Sequence, residues 1–333
     1  MAERPAPETM LVSIVVPVYN EESGLPQLFA RLKDVAAQLD VKIEVLYVDD
    51  GSQDQTVQLC RSHATEDSRF KLVRLSRNFG HQAAISAGLV YAAGDAVIIM
   101  DGDLQDPPEA IPLFVARWLE GFEVVYAVRR KRPEGWLKRT AYWLFYRALG
   151  WLSEVRVPLD SGDFGLMDRR VVSMLRQMPE RSRFLRGLRA WVGLRQVGVE
   201  VDRGARVAGA SKYTFTKLRG LAMDGLVSFS YAPLKLATRT GFVVSAGAFV
   251  FAAWVIVLRL GWGIDIAGWA SLVVVILFLG GIQLITIGIL GEYVGRIYDE
   301  VKRRPLFIVA DTVNVESPQS TDAGWDPRMD RRL

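Results

Sequence analysis

The chain of 333 residues has one cysteine, Cys60, which excludes an internal disulfide and suits a reducing compartment. It has two histidines, His63 and His81. His63 has only Cys60 near it in sequence and His81 has neither a cysteine nor a second histidine, so neither is assigned to a metal and both read as structural. No "GxGxxG" follows the first apolar run and no "GKS" or "GKT" occurs, which removes the main support for dinucleotide and P-loop readings. The opening "MAERPAPETM" contains no apolar segment of the kind a secretory signal needs, so the first domain is expected to stay where it is made. The net charge is only +4, and its placement is more informative than its size.

Two long stretches lack charge altogether: "GFVVSAGAFVFAAWVIVL", Gly241 to Leu258, and "AGWASLVVVILFLGGIQLITIGILG", Ala267 to Gly291. Each is close to the roughly 20 residues a membrane-crossing helix requires. The alternative is a pair of buried helices in a soluble core. Small residues within both runs favour membrane helices that pack on each other. Only "RLGWGIDI" separates them, so they form a hairpin with both ends on one side. Lys212, Lys217, Arg219, Lys235 and Arg239 precede the first run, and Arg296, Lys302, Arg303 and Arg304 follow the second. The turn offers only Arg259, balanced by Asp265. Positive flanks favour the cytoplasm, so everything before Arg239 and after Glu292 is expected there. The expected divisions are a flexible N-terminus over 1–10, a catalytic domain over 11–212 and a juxtamembrane amphipathic segment over 213–239. Spans over 240–260 and 267–292 come next, and then a cytoplasmic segment and tail over 293–333.

Ahead of the spans, short branched apolar runs alternate with helical periodicity. "LVSIVVPVYN", "KIEVLYVDDGS", "FKLVRLSRN", "DAVIIMDGD" and "FEVVYAV" predict strands. Leu25, Leu28, Phe29, Leu32, Val35, Ala36 and Leu39 recur at helical spacing, and "DQTVQLCRSHA", "HQAAISAGLVYAA" and "EAIPLFVARWLE" predict further helices. Such alternation predicts an α/β domain whose largely parallel sheet is covered on both faces. Ligands gather at the carboxyl ends of strands in these sheets. Polar residues fall there four times: Tyr19, Asn20 and Glu21; Asp49 and Asp50; Arg77 and Asn78; Asp101 and Asp103.

The most crowded of these ends is "MDGDLQDPPEA", Met100 to Ala110. Carboxylates at alternate positions beyond a strand can converge on one divalent cation. Hard oxygen ligands suit Mg²⁺ or Mn²⁺, and Mg²⁺ takes one or two protein carboxylates and completes its shell with water and substrate phosphates. Asp101 and Asp103 are the candidate metal ligands. Asp106 begins the turn in which Pro107 and Pro108 precede the next helix.

"VVPVYNEE", "VDDGSQDQT", "LSRNFGHQAA", "MDGDLQDPPE", "DSGDFGLMDR" and "AGASKYTF", together with the two spans beyond them, resemble the polyisoprenyl-phosphate glycosyltransferases of glycosyltransferase family two. The likeness runs from about Val12 to the basic segment near Arg304. It implies a GT-A fold, a nucleotide-sugar donor and a DxDxQ metal motif formed by Asp101, Asp103 and Gln105. Pro17, Tyr19, Asn20 and Glu21 match the family's donor-binding strand end, and Asp49 and Asp50 match the pair that reads base and ribose. Asn78 and Gly102 join the donor set, although relatives often carry alanine where this chain has Gly102. Asp163 falls where relatives carry an acidic residue near the acceptor, with Asp160 as the alternative. Arg206, Ser211 and Lys212 match a basic loop that meets phosphate groups.

The implied reaction is inverting transfer of a hexose onto a polyprenyl phosphate, with glucose from UDP-glucose first and mannose, N-acetylglucosamine or aminoarabinose as alternatives. Asp163, Asp103 and Arg206 are the candidate catalytic residues, and Arg129, Arg206, Ser211 and Lys212 the candidate phosphate ligands, with Arg130 and Lys131 beside them. A phosphate monoester has a second pKa of about 6 and is already nucleophilic near neutrality, so Asp163 either acts as base or orients. The implied setting is the bacterial inner membrane, with the bilayer as a partner, a homo-oligomer such as a tetramer, and no nucleic acid.

"GWLKRTAYWLFYRALGWL", Gly135 to Leu152, mixes aromatic and cationic side chains and predicts an interfacial helix. "PLFIVA" reads as a short strand able to dock on a neighbouring chain, and the tail after it as mobile. Two other classes compete. A non-catalytic scaffold has no physical reason to keep Asp101 and Asp103 so close, and a processive polysaccharide synthase lacks support without "QxxRW" or enough spans.

Overall fold

The structure is a computed structural model that describes residues 7–129, 161–178, 180–181, 183–202, 232–262 and 268–316. The described residues fall into two compact units. The first holds those up to 129, those from 161 to 202 and those from 304 to 316; the second holds those from 232 to 303.

The first unit is an eight-stranded mixed sheet. In chain order its elements are β1 (Leu11–Val18), α1 (Leu25–Gln38), β2 (Lys42–Asp49), α2 (Thr56–Glu66), β3 (Phe70–Leu75), α3 (His81–Tyr91), β4 (Ala96–Ile99), α4 (Ile111–Leu119), β5 (Val124–Arg129), β6 (Ser161–Asp168), α5 (Arg169–Gln177), α6 (Leu185–Val192) and β7 (Gln196–Val201). β8 (Val309–Val313) completes the sheet, whose order is β7-β5-β6-β4-β1-β2-β3-β8. β1 is parallel to both β2 and β4, and β2 to β3. β6 runs antiparallel between β4 and β5, and β8 runs antiparallel on the outer edge of β3.

The expected strands and helices form for the reasons their patterns imply. From Val12 to Val18 every residue of β1 is buried, as a central strand covered on both faces requires. Helix α1 buries Leu25, Leu28, Leu32, Val35 and Ala36, one face of a 3.6-residue period. Burying each of its leucines contributes about 1.5–3 kcal/mol. Leu28 and Leu32 join Ile14, Val16, Tyr47, Phe114 and Trp118 in one core between the sheet and α1, α2 and α4. Helices α3 and α5 pack together on the other side.

Three expectations change. Met10, inside the stretch expected to be flexible, is buried in the core, and Pro7–Thr9 form a turn of 3₁₀ helix leading to it. The strand expected at "PLFIVA" starts later, at Val309, and pairs with β3 of its own chain, where Asp311 also meets Arg61 and Arg74. The strand expected to be able to dock on a neighbouring chain thus docks on its own sheet and covers the outer edge of β3. The strand β6 has no counterpart among the expected strands, because aspartates and glycines are depleted in strands; burial between β4 and β5 outweighs that tendency.

The second unit is a pair of helices, α7 (Ala232–Trp262) and α8 (Trp269–Val301), that pack on each other. By length and composition both can cross a membrane. Phe242, Val250, Leu260 and Leu284 lie open, which disfavours the reading as buried helices of a soluble core. The interfacial helix expected at 135–152 and the basic loop with Arg206, Ser211 and Lys212 lie outside the described residues.

Candidate active site

Because β1, β2, β3 and β4 are parallel, their carboxyl ends deliver four loops to one edge of the sheet. The first two are stitched together. Asn20 sits in the left-handed region at φ 52°, its backbone N–H donates to Ser52 Oγ (3.0 Å), and its Oδ1 accepts from Gln53 N–H (2.8 Å). Glu21 N–H donates to Thr56 Oγ1 at 2.9 Å. Pro17, buried in β1 opposite Val48, precedes this corner, with Tyr19 half-buried beside it.

Asp49 and Asp50 extend the stitching. Asp49 accepts from the N–H groups of Gly51 and Ser52, each at 3.2 Å. Asp50 reaches the third loop, accepting from Phe79 N–H (2.7 Å) and Gly80 N–H (3.0 Å). Burial pushes both carboxyl pKa values up, against the amide hydrogen bonds that favour the charged forms. Gly51, at φ 74°, permits the close approach: a Cβ there would lie 2.5 Å from Arg77 C and 2.6 Å from Asn78 N. Asn78 itself is exposed on the third loop.

The fourth loop carries the paired aspartates. Asp103 Oδ1 accepts from Gln105 N–H at 3.1 Å, closing a turn around Leu104, whose φ is 60°. Gly102 is buried against β1, where a Cβ would stand 3.0 Å from Val18 Cγ1 and 3.1 Å from Pro17 O. Asp101 and Asp103 are half-buried at the mouth of β4. No group of three or more His, Cys, Asp or Glu side chains able to hold a metal occurs among the described residues. Two carboxylates are a donor set that fits a hard cation completed by water and phosphate oxygens.

The antiparallel strand β6 brings the fifth element. Gly165 pairs with Ile99, so continuing the register toward the start of β6 brings Asp163 level with Asp101. His81 Nε2 lies 3.4 Å from Asp101 Oδ1 and 3.8 Å from Asp163 Oδ2, joining the two carboxylates. Arg186 of α6 holds Asp163 with Nε on Oδ1 (2.8 Å) and Nη2 on Oδ2 (3.1 Å), and Gln82 Nε2 donates to Oδ2 at 3.3 Å. Burial raises the Asp163 carboxyl, but the Arg186 charge and hydrogen bonds, with His81 and Arg189, leave it below the usual carboxylate range. Arg189 is 3% exposed beside Tyr126, and burial pushes its guanidinium down to about 10.

The structure thus gathers Pro17, Tyr19, Asn20, Glu21, Asp49, Asp50, Asn78, Asp101, Gly102, Asp103, Gln105 and Asp163 at one end of the sheet. Arg129 ends β5 opposite Val201. Sequence reasoning missed His81, Gln82 and Arg186. His81 reads as structural in the sequence for want of a second histidine, although it opens the helix after β3 and so stands at a strand end like the others.

The profile of the glycosyl transferase family 2 domain matches residues 13–175. An uncharacterized glycosyltransferase of Synechocystis is 47% identical over 309 residues, 92% of this chain and 97% of that one. This chain belongs to glycosyl transferase family 2. A bactoprenol glucosyl transferase of Shigella phage SfII is 43% identical to this family 2 enzyme over 302 residues, 90% of this chain and 97% of the other. Among solved structures, mannosyl-3-phosphoglycerate synthase of Rubrobacter xylanophilus superposes with a TM-score of 0.45 at 18% identity, covering 78% of each chain. The sheet and its helices form the GT-A arrangement, and the five clustered elements are the candidate centre of this glycosyltransferase.

Proposed function

We propose that the enzyme transfers glucose from UDP-glucose to a polyprenyl phosphate at the cytoplasmic face of a bacterial membrane, with inversion at the anomeric carbon. The observation that carries this reading is the pairing of the site with two apolar helices in a chain 43% identical, over nine-tenths of its length, to a bactoprenol glucosyl transferase. A water-soluble acceptor gives no reason for such helices. The excess of Lys and Arg flanking them supports a catalytic unit on the cytoplasmic side.

In the reaction a phosphate oxygen of the acceptor bonds to the anomeric carbon, the bond from that carbon to the donor diphosphate breaks, and UDP leaves with the electron pair. Asp101 and Asp103, with Gln105 behind them, would hold Mg²⁺ or Mn²⁺, which when bound offsets the charge developing on the leaving diphosphate. Asp49 and Asp50 hold the loops against which base and ribose lie. A phosphate dianion needs no base, and Asp163, gripped by Arg186, is a weak one. We assign Asp163 to orienting His81, Gln82 and Arg186 around the reacting centre. Arg206, Ser211, Lys212 and Arg129 remain proposed phosphate ligands.

The test is incubation of the purified protein with undecaprenyl phosphate, Mg²⁺ or Mn²⁺ and a panel of nucleotide sugars, with mass analysis of the lipid afterwards. A hexosyl lipid from UDP-glucose is expected. Product only from another donor would reassign the sugar, and no lipid product from any donor would sink the reading.

A further inference from the structure

A cavity of about 720 Å³ opens beside the reacting centre, within the first unit. His81 and Gln82, which meet Asp101 and Asp163, also line it. Its wall carries four guanidinium groups, those of Arg77, Arg181, Arg183 and Arg304, and no carboxylate lines it among the described residues. Like charges in one concave surface repel each other unless an anion sits among them. Local bonds tie their frames: Arg181 Nη1 donates to the Arg304 carbonyl at 2.9 Å, and Arg183 to the Leu175 and Met178 carbonyls at 3.0 and 2.5 Å. Arg183 Nε is buried and meets no hydrogen-bond acceptor among the described residues.

Besides His81, Gln82 and Ser86, the wall has apolar side chains, with Leu306 and Ile308 contributed by the segment after α8. Arg304 is the first residue of the catalytic unit after the apolar pair. The volume far exceeds what a bare phosphate fills, and mixed cationic and apolar walls match a phosphate that carries a hydrocarbon.

We propose that this cavity seats the acceptor: Arg77 and Arg304 take the phosphate of the polyprenyl phosphate, and Leu306 and Ile308 take its first isoprene units. This rests on the proposed lipid-phosphate reaction and adds a binding site to it. It places the nucleophile on the His81 and Gln82 side of the centre, where His81 adjoins Asp101 and Asp163. The guanidiniums lower the repulsion between two anions that must meet.

The test uses the full chain in nanodiscs, with Arg77→Gln, Arg304→Gln and Leu306→Ser. Each arginine variant is expected to raise KM for undecaprenyl phosphate about tenfold, the scale of one lost charge-assisted hydrogen bond, while KM for the donor and the melting temperature stay near wild type. Farnesyl phosphate is expected to compete with the acceptor far better than inorganic phosphate, and Leu306→Ser to weaken binding of farnesyl phosphate and of the acceptor but not of inorganic phosphate. Equal competition by the two, unmoved by Leu306→Ser, would make this a free-phosphate site and overturn the proposal. So would unchanged acceptor KM in both arginine variants, or a rise confined to the donor KM. If wild-type enzyme glycosylates no lipid phosphate at all, it is the underlying reaction that fails, which the wild-type control reports separately.

Discussion

Arg186 closes on Asp163 with both arms of its guanidinium, at 2.8 and 3.1 Å, across the gap between α6 and the start of β6. The carboxylate side chain is 7% exposed and the guanidinium 32%. A fork of this kind fixes direction as well as charge. It leaves Asp163 ionised, oriented and poorly basic.

Removing the fork should therefore cost both stability and turnover. Arg186→Ala is expected to lower unfolding stability by about 1.5–3 kcal/mol, the range for a hydrogen-bonded charged group. Arg186→Lys should recover part of the stability, because it keeps the charge, but little of the turnover, because it loses the fork. Denaturant titration beside kcat separates the two. Full turnover in Arg186→Lys would show that charge alone suffices.

The same pair sets a pH dependence. Asp163 has a folded pKa below its unfolded value of about 3.9, so the folded state binds fewer protons there and stability rises with pH. Its contribution is present in full above the unfolded value and is lost as pH falls through the folded one. Asp163→Asn should be less stable than wild type at neutral pH, with the gap closing below about pH 4. A gap unchanged between neutrality and about pH 3 would place the effect in packing instead of charge.

At the metal motif, Asp103→Asn should reduce transfer at least about hundredfold while the protein remains folded and membrane-bound. Rates across a Mg²⁺ and Mn²⁺ series are the measurement. Normal, divalent-dependent transfer in this variant would remove Asp103 from the proposed ligand set.

Much of this site is legible in the amino-acid order alone, and the reason is topological. A central parallel strand is buried on both faces, so β1, β2 and β4 read as largely apolar, branched runs interrupted only by Ser13, Pro17 and Glu44, and the polar residues that close each run must lie at one edge. That rule places Asp49, Asp50, Asp101 and Asp103. It does not place Arg186, because "RSRFLRGLRAWVG" has the look of a solvated basic helix and nothing local ties it to a carboxylate 23 residues earlier. Only the antiparallel insertion of β6 brings them together. The strand β6 is hidden for a related reason: "DSGDFGLMD" reads as a motif, and its extended form depends on partners distant in sequence.

Two glycines of the site make the last contrast. At Gly51 a methyl group would meet backbone atoms of Arg77 and Asn78 at 2.5–2.9 Å, with φ at 74°. Neither the loop backbone nor the dihedral can yield cheaply, so Gly51→Ala should destabilise by about 1–3 kcal/mol and displace the loop bearing Arg77 and Asn78. At Gly102 the nearest atoms stand at 3.0 and 3.1 Å, one of them the movable Val18 side chain, and φ is not in the left-handed region. Gly102→Ala should shift its neighbours by a few tenths of an ångström and change stability by less than about 1 kcal/mol. Thermal unfolding of the two variants, with donor KM, decides the matter. Equal losses would mean that the tight third loop is not what requires glycine at position 51.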